Sequence, residues 1–172
     1  MTTGAVDWMH PPQRGWTYEQ AKKFDLPFEW ELVDGAIVVR GMTDLWHNTV
    51  RDELLTAVRA GRQAPCGVVS GQCILVDEYN PVRPDVVVFD PTGVDVMSVE
   101  CLPVESVRLA VEVVSPASPS DDRFRRPGMY AEVGIEYFSR VERGTDNEPF
   151  VFEFALDHAS GVYAPPPSTS AH

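Results

Sequence analysis

Apolar and polar residues are distributed along this chain in patterns that predict alternating helices and strands. Phe28 to Val33 and Ala36 to Arg40 flank Asp34-Gly35, the dipeptide best suited to the positive backbone dihedrals of a two-residue hairpin turn. Thr17 followed three residues later by Gln20 is a capping-box pattern, which predicts a short helix from Tyr18 to about Phe24 before Pro27 stops it. Trp46, Val50, Leu54, Ala57 and Val58 recur at three- and four-residue spacings. They predict a longer helix, capped by Thr43 or Asp44 and running to about Arg62. After the Pro65-Cys66-Gly67 break, Val68 to Val76 reads as one strand. The runs Asp85 to Phe89 and Val107 to Val114 are apolar on both faces and predict central strands, with Pro91 to Pro103 as a connection between them. A third helix is expected from Asp121 or Asp122, interrupted at Pro127-Gly128 and ended by Gly134. Strands Ile135 to Glu142 and Pro149 to Leu156 follow, turned at Gly144 to Glu148.

This order predicts one α/β (α+β) domain over residues 16–157, a mixed central β-sheet flanked by helices. Residues 1–15 and residues 158–172, a strand end and a proline-rich tail, read as loose ends. A length of 172 residues suits a single core. With 14 basic against 26 acidic residues and a net charge of −12, the chain lacks a broad electrostatic footprint for nucleic acid, so any phosphate contact must be local. No apolar run approaches the length needed to span a bilayer, and the N-terminal residues lack a signal-peptide pattern, so the expected compartment is the cytoplasm. Cys66, Cys73 and Cys101 are odd in number and lack a CxxC pair, which predicts buried thiols in place of a disulfide or zinc site.

Two carboxylates stand out. Asp85 opens an apolar strand and Glu112 interrupts another, positions where a charge is costly unless paired, hydrogen-bonded or holding a metal. As neighbours they would form an oxygen-rich site suited to Mg²⁺ or Mn²⁺. Alternatively Glu112 pairs with an arginine such as Arg83 or Arg108, and spacing does not separate these readings.

The series Glu31-Leu32-Val33-Asp34-Gly35, His47, Arg83-Pro84-Asp85, Val111 to Pro116, Asp122 and Arg126 to Phe138 resembles the Uma-two family. The resemblance covers about residues 16 to 157 and implies a restriction-endonuclease-like PD-(D/E)XK fold. It also implies a metal-dependent phosphodiesterase site in which Asp85 and Glu112 ligate the ion. Val114 stands where lysine usually follows the second acid, so the resemblance moves the cationic member to the following helix. There the chain has Arg126 in place of the family's frequent lysine. Arginine can stabilise a phosphate's developing charge but cannot act as a base near neutrality. Glu31 and His47 would complete the site as an additional carboxylate and an imidazole; by themselves they read as a solvent-facing hairpin residue and a first-turn helix residue. Ala36 replaces the second acid that the family places after the hairpin glycine.

Arg123, Arg125 and Arg126 read either as a phosphate-binding edge or as a solvated face neutralising Asp121 and Asp122. Tyr130, Tyr137 and Phe138 read as core aromatics. The leading expectation is a Mg²⁺- or Mn²⁺-dependent nuclease acting on nucleic acid, DNA ahead of RNA, working as a homodimer without a membrane partner. Its rivals are a non-catalytic interaction protein that keeps the fold and a hydrolase of a small phosphorylated molecule.

Overall fold

The computed structural model describes residues 7–116 and 119–167. Helix α1 (Tyr18–Ala21) opens on a complete capping box: the Thr17 side chain accepts from the Gln20 amide, and the Gln20 side chain accepts from the Thr17 amide. It stops short of Phe24, whose ring turns back edge-on to Trp16 at 5.0 Å between centroids.

Strands β1 (Trp30–Val33) and β2 (Ala36–Val39) pair antiparallel around Asp34 and Gly35, whose φ angles of +48° and +77° both lie in the left-handed region. Gly35 also lies against Gly15, and a Cβ on it would meet the Gly15 Cα at 2.6 Å. Gly35→Ala is therefore expected to cost about 2 kcal/mol, from positive φ and backbone overlap together. A urea denaturation midpoint matching the parent's would refute this.

Asp44 caps α2 (Leu45–Gly61), accepting from the His47 amide at 2.8 Å. The remaining strands among the described residues are β3 (Gly67–Ser70), β4 (Cys73–Asp77), β5 (Asn80–Val82), β6 (Val86–Phe89), β7 (Cys101–Pro103), β8 (Val107–Val113), β9 (Tyr137–Arg143), β10 (Pro149–Asp157) and β11 (Val162–Ala164). A π-helical turn over Asp121–Arg125 runs directly into α3 (Arg126–Glu132), with Pro127 in the first turn of α3.

The central sheet has the order β11-β10-β9-β8-β6-β3, parallel between β8 and β9 and antiparallel elsewhere. The alternation of strand side chains divides its core in two. Val86, Val111, Val113 and Val141 pack with Val50 of α2 on one face. Val87, Ala110 and Phe138 pack with Tyr130 of α3 and with Ile74 and Leu102 of a smaller sheet on the other. This mixed α+β architecture, with a curled central sheet and few helices, is restriction-endonuclease-like.

Two readings of the sequence are corrected. Val68 to Val76 is not one strand: Gly71, at φ +60°, turns the chain out of the central sheet. Beyond it, β4 joins the three-stranded sheet β5-β4-β7. Cys73 and Cys101 are not thiols but a disulfide, because the parallel pairing of β4 with β7 sets them directly opposite with Cα atoms 4.4 Å apart. Cys101 lies in the segment that sequence patterning reads as a connection, so its partner is invisible until that pairing forms. Cys66 is the free thiol.

Candidate active site

The β6–β8 register pairs Val86 with Val111, which places Asp85 one step beyond, opposite Glu112 and on the same face of the sheet. Asp85 is held by both neighbouring elements. Its Oδ2 accepts from the Val113 amide at 2.7 Å, and its Oδ1 lies 3.3 Å from His47 Nε2 on α2. The same Nε2 lies 3.1 Å from the Val113 carbonyl oxygen. Facing two acceptors, Nε2 carries the proton, so His47 orients Asp85 and does not present that nitrogen as a lone-pair donor. Burial pulls the His47 pKa down, but hydrogen bonding and charge from Asp85 outweigh it and leave the imidazole above its ordinary value.

Glu112 is 1% exposed. Arg126 Nη1 reaches both of its oxygens, at 3.1 and 3.3 Å, and the Tyr130 hydroxyl donates to Oε1 at 2.5 Å. Arg126, itself 8% exposed, also donates through Nε to Asp121 at 2.9 Å and through Nη2 to both oxygens of Glu31, at 3.2 and 3.3 Å. One guanidinium thus joins the hairpin, the central sheet and the π-helical turn, with its donor fork directed at three carboxylates. Asp122 is buried and accepts from the Ser115 amide at 2.9 Å, just beyond the end of β8. Burial raises its pKa, against the lowering effect of that amide.

These groups surround a cavity of about 290 Å³ between the hairpin and the ends of β6 and β8. Glu31, His47, Asp85, Asp121, Asp122 and Arg126 line it, whereas Glu112 lies beneath Arg126. The structure therefore brings Asp85, Glu112, Arg126, Glu31 and His47 to one place. The partner of Glu112 is Arg126, not Arg83 or Arg108. Arg123 binds Glu142 at 2.6 Å and Arg125 binds Asp121 at 3.1 Å, so these two serve neighbouring acids. Asp122 and Tyr130 are site residues that the residue patterns alone did not single out. Their signal is the spacing Asp122, Arg126, Tyr130, four residues apart on one helical face. Tyr130 belongs to the core as expected, yet its hydroxyl serves Glu112.

Burial, only partly offset by Arg126, pushes Glu112 up to about 8 from an ordinary 4.5. The folded protein thus retains a proton that the unfolded chain releases, so this contribution to stability is full below about pH 4.5 and is lost as the pH rises to about 8. The melting temperature is expected to fall across that window, and Glu112→Gln should flatten the fall. Parallel melting curves for the two proteins would show that Glu112 is not responsible.

A family model named Uma2 and described as "Putative restriction endonuclease" matches residues 17–158. The chain belongs to the Uma2 family. The match spans every residue of the site just described. Among solved structures, the chain is similar to a protein from Anabaena variabilis ATCC 29413 described as a "putative nuclease belonging to DUF820". The two share 15% identity at a TM-score of 0.61, over 79% of this chain and 83% of the other, which establishes a common fold. Among curated proteins none matches the chain. No helix among the described residues of this Uma2 protein is long and apolar enough to cross a membrane.

Proposed function

We propose that this Uma2 protein is a PD-(D/E)XK-type nuclease that hydrolyses phosphodiester bonds of nucleic acid, DNA ahead of RNA, with a divalent ion. The observation that carries this reading is Asp85 projecting into the cavity at the end of β6, opposite Glu112, with a cationic side chain from α3 beside them. Among the described residues, no group of three or more His, Cys, Asp or Glu side chains is arranged to hold a metal ion, which argues against a closed structural site. Magnesium and manganese ask less of the protein: one or two carboxylates, with water and substrate phosphates taking the other positions. The hard oxygen donors here fit that requirement. Asp85 would hold the ion, with Glu112 as second carboxylate where it gives up its proton and Arg126 yields an oxygen.

When bound, such an ion supplies charge stabilisation and an activated water. The residues of the chain do the rest. His47 and the Val113 amide orient Asp85, and Arg126 keeps the surrounding carboxylates from repelling a phosphate. The reading includes a homodimer, in which each subunit carries one such site.

Incubating the protein with single- and double-stranded DNA and RNA, with Mg²⁺, Mn²⁺ or EDTA, tests the reading. Cleavage that requires the divalent ion supports it. Cleavage undiminished by EDTA removes the metal, and inertness with every combination favours the non-catalytic rival.

A further inference from the structure

A nuclease site needs a cation free to take the phosphate backbone, and most arginines around this cavity are already engaged. Arg126 is bound to three carboxylates, and Arg40 lies 3.5 Å from Glu31. Arg83 differs. It is exposed, and among the described residues its side chain makes no hydrogen bond or ion pair. Its backbone is well fixed: Val82, Pro84 and Val86 are buried, so Arg83 and Asp85 emerge on the same outward side, two residues apart.

Arg83 also lines a second cavity of about 290 Å³, which shares Glu31 with the first. The second cavity has aromatic walls from Tyr18, Phe24, Phe28 and Trp30. Its other cation, Lys22, is tied to Glu19 at 3.0 Å and Glu100 at 3.2 Å. A free guanidinium between an acid-lined cavity and an aromatic one matches the repeating chemistry of a nucleic-acid strand: a phosphate for the charge and a base for the rings.

We infer that Arg83 grips the backbone phosphate of a single-stranded nucleic acid at the boundary between the two cavities, with the reactive phosphate on the Asp85 side and the neighbouring base against Trp30. This rests on the nuclease reading for the identity of the ligand. A single strand is favoured because both cavities are small and the chain carries a net charge of −12, so contact is local instead of spread along a duplex groove.

The test is binding of a fluorescein-labelled twelve-nucleotide DNA strand in EDTA, read by anisotropy over a range of salt concentrations. Arg83→Ala is expected to weaken binding about tenfold and to reduce the salt slope by about one. Its melting temperature should be unchanged, since no partner is lost. Arg83→Lys should recover part of the affinity, because it keeps the charge and loses only the fork. Adding the strand should quench tryptophan fluorescence in the parent and less so in Trp30→Phe. Arg143→Ala, changed at an arginine paired with Asp44, should bind as the parent does.

Equal affinity and salt slope for Arg83→Ala and the parent would overturn the inference, as would a parent that binds no strand. A duplex bound more tightly than the single strand would overturn its single-stranded part. A parent that binds through Arg83 but fails to cleave with every divalent ion tried would sustain the inference while removing the nuclease reading.

Discussion

Asp85→Ala is expected to abolish cleavage, lowering turnover on the order of a thousandfold or more, since it deletes the carboxylate on which the proposed ion depends. The alanine also leaves the buried Val113 amide without its acceptor, which costs about 1–3 kcal/mol. A fall in activity could then be mistaken for unfolding. Asp85→Asn separates the two effects because its amide oxygen can still accept from Val113, while the anionic charge is gone. Its NH2 then faces the His47 Nε2–H, so it should melt below the parent but above Asp85→Ala, and still fail to cleave. Single-turnover cleavage beside melting curves for both variants makes the comparison, and an Asp85→Asn protein with parental turnover would remove Asp85 from the chemistry.

The second large effect belongs to Arg126. Arg126→Ala strips the counter-charge from buried Glu112 and frees Glu31 and Asp121 at the same time. At neutral pH Glu112 keeps its proton, so the loss is that of buried hydrogen bonds and costs about 1–3 kcal/mol. The deficit should widen above about pH 8, where the parent's Glu112 ionises against the guanidinium while the variant's carboxyl, with nothing opposite, holds its proton to higher pH. Turnover should fall on the order of a hundredfold through lost charge stabilisation. Arg126→Lys keeps a charge beside Glu112 but cannot serve three carboxylates at once, so it should retain cleavage with only part of the stability. Denaturation at pH 7 and pH 9 with parallel cleavage assays checks both halves. An Arg126→Ala protein as stable as the parent at pH 9 would show that Glu112 does not depend on the arginine.

Local signals carried much of the fold. The Asp34-Gly35 turn, the Asp44 cap and the capping box at Thr17 each act through residues close in sequence, so their chemistry can be read directly. The apolar runs around Val86 and Val111 likewise announced strands covered on both faces. What pairs with what is different. Strand periodicity reports burial but carries no address, so β4 with β7, and with it the Cys73–Cys101 bridge, stayed hidden. Glu112 was conspicuous as a charge among valines. Its partner was not, because Arg126 lies across a sheet-to-helix contact that Asp121 and Glu31 also enter. The family resemblance placed Arg126 at the site, and only the geometry shows it to be saturated and Arg83 to be unpaired among the described residues.

The β1–β2 hairpin supplies a whole wall of the cavity yet forms its own two-stranded sheet. It is fastened to its surroundings by a few clasps, including the Asp34 amide to Asn80 Oδ1 at 2.9 Å, the Gly35 amide to the Tyr79 carbonyl at 3.2 Å and Glu31 to Arg126. The mouth of the site is thus a seam between two separately laddered bodies. Its width can be retuned by editing the clasps while every strand pairing of the central sheet stays intact. Asn80, which also accepts from Arg125 at 2.9 Å, is the rivet of that seam.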